Sequence, residues 1–288
     1  FAFSGEEPGG FNNIKKVLDL DYVYKRANQL ITFIDNHDMP RFLSVTDSTQ
    51  NLELATIILF TLRGIPCLFY GTEQYLVNNT NGGEDPYNRP MMNSWDLDNP
   101  LVKIIQKLSK LRSENPALTF GSFQENFLSE SIYAFTRKYR GFKVFSIINQ
   151  GNETTLNLKY LDIPDGIYKC LLTEREINIK NGELVNHSIS YKEANLIAIE
   201  GEHTRGEVIL DIQVNGYETK PGESIVIIGD HEEFGAWNLC NALKLEYINK
   251  NTWFGDFGFN NAAGEPIMLK AAVLKTTHSE VKNVSEED

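Results

Sequence analysis

The spacing of apolar and polar positions changes character twice along this chain. Over residues 1–117, strand-like runs alternate with helical ones. Leu30-Ile31-Thr32-Phe33-Ile34 is a β-branched and aromatic run that ends in the polar cluster Asp35-Asn36-His37-Asp38, the pattern of a strand buried on both faces. Residues 51–63 (NLELATIILFTLR) are good helix formers, almost wholly apolar, with Gly64 placed as a stop. Ile65 to Tyr70 gives a second buried-strand pattern, closed by Gly71. Residues 100–112 place Leu101, Ile104, Ile105, Leu108 and Leu111 at helical spacing, with Pro100 at the start and Pro116 just past the end. Strand, helix, strand, helix with short connections predicts βα units on a parallel sheet.

From Leu118 the helical patterns stop. Ser131–Phe135, Lys143–Ile148 and Asn195–Ile199 are short alternating runs punctuated by Gly141, Gly151, Pro164-Asp165-Gly166 and Asn181-Gly182, which predicts an antiparallel sandwich. The charged stretch Glu200–Gly206 reads as a linker. A second all-β region follows, with strands expected at Glu207–Val214, Ser224–Gly229 and Glu265–Leu274. The polar tail from Thr276 to Asp288 is expected to fray. The expected domains are 1–117, 118–200 and 201–288.

Composition narrows the function. The 288 residues carry 39 Asp+Glu against 27 Lys+Arg, a formal net charge of −12. So acidic a chain is a poor phosphate-backbone binder, and nucleic acid is not an expected partner. With 41% hydrophobic residues it can fill more than one core. No apolar run is long enough for a membrane span, so no membrane is expected either. Cys67, Cys170 and Cys240 are an odd, scattered set without metal-ligand spacing, and no metal site is assigned. The sequons at Asn78, Asn152, Asn186 and Asn283 are of a kind that chance readily supplies. The chain begins with Phe1 and no leader pattern precedes the first element; it reads as the C-terminal part of something longer.

The sharpest local feature is Thr32-Phe33-Ile34-Asp35-Asn36-His37-Asp38, polar residues crowded at the C-terminal end of a parallel strand. That position suits catalytic groups in a βα barrel, and it equally suits an ordinary strand-to-helix loop with an Asp capping a helix.

TFIDNHDMPRF at 32–42 resembles the fourth conserved region of the α-amylase clan, glycoside hydrolase family 13, with its nearest likeness to cyclodextrin glucanotransferases and related α-amylases. RGIPCLFYGTEQY at 63–75 resembles the last barrel strand of those enzymes, GGEDPYNRPMM at 82–92 the following substrate loop, and SKLRSENPAL at 109–118 the exit from the barrel. The resemblance covers residues 20–200. It implies the last βα units of a (β/α)8 barrel followed by two all-β sandwich domains.

It also implies roles. Asp38 takes the place of the third acidic residue, a transition-state stabiliser that binds the C2 and C3 hydroxyls of the distorted sugar; His37 matches the imidazole bonded to the same hydroxyls. Such hydrogen bonds strengthen as the ring flattens toward an oxocarbenium ion. Asp85 and Arg89 match residues that contact glucose units further along the donor side, or else form a loop salt bridge. For Tyr70, Gly71 and Glu73, packing and turn geometry are expected. The nucleophile and the acid/base of a retaining mechanism lie on earlier strands in this family, and no matching motif is found here. Calcium is implied only for a full-length parent, through ligands upstream. The chain alone is therefore expected to be inactive, and two βα units cannot close a barrel, which leaves their faces exposed.

Residues 206–275 resemble the family-20 starch-binding module, in VILDIQVNGYETKPGESIVIIGDHEEFGAWN (208–238), NTWFGDF (251–257) and PIMLKAAV (266–273). The likeness gives Trp237, Trp253 and Lys270 starch-binding places. A flat indole covers the apolar face of a pyranose while polar neighbours fix its rim; either Trp could instead belong to the core. Pro221 stands where many such modules have a second-site aromatic, with Tyr217 or Tyr247 as substitutes, and the expected downstream tryptophan is missing from 278–288. The expected partners are starch and related α-glucans, and the expected setting is extracellular. The short linker leaves no room for the extra domain of cyclodextrin-forming transferases, which points to an α-amylase-type hydrolase. A cyclodextrin glucanotransferase and a non-catalytic starch-binding protein are the alternatives.

Overall fold

The computed structural model describes residues 9–78, 80–260, 264 and 266–275; the tail expected to fray lies outside them. Two compact units emerge, Phe1–Asp21 with Arg26–Glu200, and Tyr22–Lys25 with Gly201–Asp288.

The first unit opens with α1 (Phe11–Leu18), β1 (Ile31–Thr32), α2 (Phe42–Thr46), α3 (Thr49–Thr61), β2 (Ile65–Pro66), α4 (Pro100–Glu114) and α5 (Ala117–Phe120). Ser48 caps α3 by accepting from Asn51 N at 3.3 Å, and Asn99 caps α4 by accepting from Val102 N at 2.8 Å, with Pro100 in the first turn. Gly64 has φ +101°, and a Cβ there would lie 2.7 Å from the Leu30 carbonyl oxygen. Only glycine lets the chain leave α3 and run beside β1.

The two strands pair in parallel, Ile31 with Ile65 and Thr32 with Pro66, as the βα pattern predicts. The expectation of burial on both faces fails. Ile31 is 65% exposed, Phe33 48% and Ile65 51%. Among the described residues each strand has a single neighbour, and the last ladder bond is Cys67 N to Thr32 O at 2.8 Å, so pairing stops after two residues rather than running to Ile34 and Tyr70. A cleft of about 360 Å³ opens beside them, lined by Phe33, Ile34, Met39, Phe42 and Ile58 among others.

The first sandwich comprises β3 (Ser122–Leu128), β4 (Ile132–Tyr139), β5 (Phe142–Asn149), β6 (Thr154–Leu158), β7 (Gly166–Lys169), β8 (Glu176–Lys180), β9 (Glu183–Ile189) and β10 (Glu193–Ile199). They form two four-stranded sheets, ordered β10-β5-β4-β3 and β6-β9-β8-β7. Strand period 2 divides the central pair between two cores. Ile132, Ala134, Phe145 and Ile147 pack with Leu156, Ile177 and Ile179 of the second sheet. Tyr133, Phe135, Val144 and Ile148 pack with Leu54, Ile58 and Leu118 of the helical layer. This sheet is therefore covered on both sides, and α3, apolar all round, is buried against it. The carbonyls at the end of α3 are received by two guanidinium groups: Arg137 donates to Thr61 O at 3.3 Å and Arg112 to Phe60 O at 2.7 Å.

The second unit holds β11 (Val208–Asn215), β12 (Glu223–Gly229), β13 (Leu243–Lys244), β14 (Glu246–Asn249), β15 (Thr252–Phe259) and β16 (Leu269–Lys275). The sheets run β11-β15-β14 and β13-β12-β16. Ile225, Ile227, Phe234, Leu245, Trp253 and Phe259 form the core between them.

Candidate functional site

The loop from β1 to α2 carries the first site. His37 Nε2 lies 3.2 Å from Asp38 Oδ2, and both side chains are more than half exposed. Arg89 Nη2 stands between two carboxylates, 3.5 Å from Asp38 Oδ1 and 2.9 Å from Asp85 Oδ1, while its Nε donates to His37 O at 3.2 Å. All four residues expected in this site are thus brought together. The pairing of Arg89 with Asp85 means that the salt-bridge reading of those two residues holds geometrically. At such exposure the pair contributes about 0–1 kcal/mol and is readily rearranged by a ligand. A carboxylate acceptor beside an imidazole that can donate matches a pair of adjacent hydroxyls.

Below these exposed groups lies a buried polar layer that sequence reasoning did not single out. Asn88, fully buried, donates from Nδ2 to His37 O at 2.5 Å and to Met39 O at 3.0 Å. Asp35, 2% exposed, accepts from Phe42 N at 3.1 Å and Thr72 Oγ1 at 2.8 Å. The capping reading of the acidic cluster is therefore true of Asp35, at the first residue of α2, while Asp38 stays exposed. The available signal was the position of Asn88, one residue before Arg89.

In the second unit, Trp237 is 46% exposed and sits at φ +61° after Ala236 at φ +48°. Bulky residues rarely adopt this conformation, and it is maintained here by fixed hydrogen bonds: Trp237 N donates to Gly229 O at 2.7 Å and Ala236 N to His231 O at 2.9 Å. Lys270 is exposed on β16 opposite Ile228, one residue from the pair of Gly229 with Leu269. Trp237 and Lys270 thus mark the same end of β12. Trp253 does not join them. It is 6% exposed within the core, its ring 5.4 Å from that of Tyr247, so no face is free for a sugar and the binding place expected for it is corrected to packing. Tyr217 and Tyr247 are both exposed.

Among the described residues, no group of three or more His, Cys, Asp or Glu is placed to hold a metal ion. No described helix is long and apolar enough to cross a membrane.

Residues 11–99 match the alpha amylase catalytic domain family, and residues 207–287 match the starch binding domain family. The chain therefore joins a fragment of the alpha-amylase catalytic domain to a starch-binding domain. Among its curated relatives is a cyclomaltodextrin glucanotransferase from Klebsiella oxytoca, 28% identical over 280 residues, which covers 85% of this chain and 42% of the relative. Another, from Thermoanaerobacterium thermosulfurigenes, is 38% identical over 52% of this chain and 21% of its own length. A solved cyclomaltodextrin glucanotransferase described as having a three-domain ABC distribution, CldA, is 36% identical with a TM-score of 0.65, over 68% of this chain and 41% of that one. An Anoxybacillus α-amylase is 27% identical with a TM-score of 0.59, over 67% of this chain and 43% of that one. The chain spans less than half the length of these relatives. Over that span the architecture is a partial alpha-amylase domain followed by β-rich domains.

Proposed function

We propose that the first unit supplies one wall of an α-1,4-glucan active site and that the second anchors the protein to starch. The observation that carries this reading is the exposed His37–Asp38 pair, 3.2 Å apart and bridged through Arg89 to Asp85. Asp38 accepts from one ring hydroxyl and His37 donates to its neighbour. Both bonds gain as the sugar flattens and charge develops at its anomeric carbon. Arg89 and Asp85 contact the adjoining glucose unit. The nucleophile and the acid/base come from outside the recognisable motifs of this chain, which alone does not turn over.

The reaction in a complete protein is retaining transfer between glucans. Cyclisation is favoured over hydrolysis, because cyclomaltodextrin glucanotransferases recur among the curated relatives. The short segment between the sandwiches, which had pointed to a hydrolase, loses its weight beside CldA, a transferase of three domains. Action on an extracellular polymer accords with a secreted protein. Separating cyclic from linear products made by a longer protein that includes this sequence distinguishes the two reactions.

The glucan reading is tested on the full 288-residue chain by titrating maltoheptaose and following backbone amides in 1H–15N spectra. Saturable shifts at His37, Asp38 and Arg89, abolished by Asp38→Asn, are expected; unmoved amides overturn the reading. Release of reducing sugar from starch above blank by this chain overturns its inactivity.

A further inference from the structure

The exposed pair stands on two buried, oppositely charged side chains that no part of the proposed chemistry uses. Arg41 is fully buried and Asp35 is 2% exposed, with Arg41 Nη1 4.0 Å from Asp35 Oδ2. A charge taken out of water is costly unless it is paired and held. Arg41 Nε and Nη1 make no hydrogen bond, so the guanidinium is held through its third nitrogen and its face. Arg41 Nη2 donates to the Tyr70 carbonyl, and the guanidinium carbon lies 4.4 Å from the centre of the Phe69 ring, a stacked cation–π arrangement. The same Phe69 ring is 6.2 Å from the His37 imidazole. Gly71, at φ +81°, makes room: a Cβ there would lie 2.9 Å from Arg41 Nη2. Asp35 meanwhile reaches both loops, taking Phe42 N from its own and the Thr72 hydroxyl from the loop after β2.

We propose that Asp35 and Arg41 are positioning residues, a buried lock in which two oppositely charged side chains at the ends of one loop each hydrogen-bond the loop after β2, at Thr72 and Tyr70, and so fix the backbone from which His37 and Asp38 project. His37 and Asp38 lie within the short segment bounded by the lock, Asp35 on one side and Arg41 on the other. With both ends tied to the Phe69–Thr72 loop, the segment cannot move without breaking a buried hydrogen bond made by a charged side chain. The pair is therefore presented in one geometry before a ligand arrives, which is the condition for hydrogen bonds to discriminate a distorted sugar from a relaxed one. Burial pushes the Arg41 guanidinium below its ordinary value, opposed by Asp35. The lock rests on the glucan reading only for its purpose; its existence is measurable without sugar.

The test uses the full chain and the hydroxyl of Thr72, the least disruptive point of entry. Thr72→Val keeps the shape and removes the donor to Asp35; Thr72→Ser keeps the donor. In ligand-free 1H–15N spectra, Thr72→Val is expected to shift or broaden the amides of Asn36–Met39 while those of β4 and β5 stay in place, and Thr72→Ser is expected to restore them. Asp35→Asn, which leaves Arg41 without a counter-charge, is expected to give the same pattern more strongly. Maltoheptaose affinity read at Asp38 is expected to weaken about tenfold in Thr72→Val and to recover in Thr72→Ser, a displacement of 1 Å or less being enough for this. Wild-type spectra and affinity in Thr72→Val overturn the lock. So do changes spread through the whole first unit, which assign Asp35 to general stability instead. Should sugar fail to shift the wild-type amides, the glucan reading falls while the ligand-free comparison still decides the lock.

Discussion

Two apolar runs in the first unit look alike as text and end in opposite environments. Leu30–Ile34 and Lys143–Ile148 are both short, β-branched and aromatic. In the second, Val144, Phe145, Ile147 and Ile148 are at most 1% exposed, because strands flank β5 on both sides and packed layers cover both its faces. In the first, Ile31 is 65% and Phe33 48% exposed, because among the described residues β1 has one partner and no second layer over its outer face. The comparison teaches that composition gives a segment the capacity for burial, and that neighbours decide whether the capacity is used.

The widest expected gap comes from truncating one residue on each side of that comparison. Phe145→Ala should cost about 3–5 kcal/mol, as a fully packed aromatic leaves a cavity. Ile31→Ala should change stability by no more than about 0.5 kcal/mol, since its side chain is already in water. Calorimetry of the full chain reads both, and equal costs would dissolve the contrast.

A second contrast, smaller in size, lies within the starch-binding unit. Trp237→Ala should weaken retention on granular starch by about 2 kcal/mol, roughly thirtyfold, with no loss of melting temperature. Trp253→Phe, which keeps an aromatic ring in the core, should lower the melting temperature and leave retention within about threefold. Equal retention of wild type and Trp237→Ala would remove Trp237 from the site; a larger loss from Trp253→Phe at full stability would restore Trp253 to it.

The smallest effect concerns a polar join between the two sheets of the first sandwich. His187 on β9 is 2.7 Å from Asn195 on β10. Burial depresses the imidazole below its ordinary value, the bond to Asn195 works against that, and Arg175 adds to the depression. The folded state therefore takes up the proton less readily than the unfolded one. This contribution to stability is complete above the unfolded value, near 6.5, and declines as pH falls through and below it. Melting temperatures between pH 7.5 and 5 should fall more gently in His187→Gln than in wild type; an unchanged slope would show that His187 does not matter.

The exposed part of the site was legible through the family motifs at 32–42 and 82–92. His37, Asp38, Asp85 and Arg89 stand in those motifs, and the structure brings them together. Asp35, Arg41, Thr72 and Asn88 were hidden because their work is done by burial. An arginine at a loop end reads as a solvated charge until the Phe69 ring and the Tyr70 carbonyl are seen around it. Trp253 was ambiguous for the complementary reason: an indole serves a core or a sugar with the same surface, and only its 6% exposure separates the two uses.

What the sequence determined by itself is local. The apolar spacing and caps set α3 and α4, the turn residues set the hairpins, and the order of motifs set the alpha-amylase and starch-binding segments, because each depends on neighbours a few residues away. Tertiary structure decided what depends on distant partners: that β1 and β2 pair for only two residues, that one sheet carries a core on each face, and that Asp35 lies beneath while Asp38 lies above. Burial is a property of the space around a side chain, and that space is filled by residues far off in the chain.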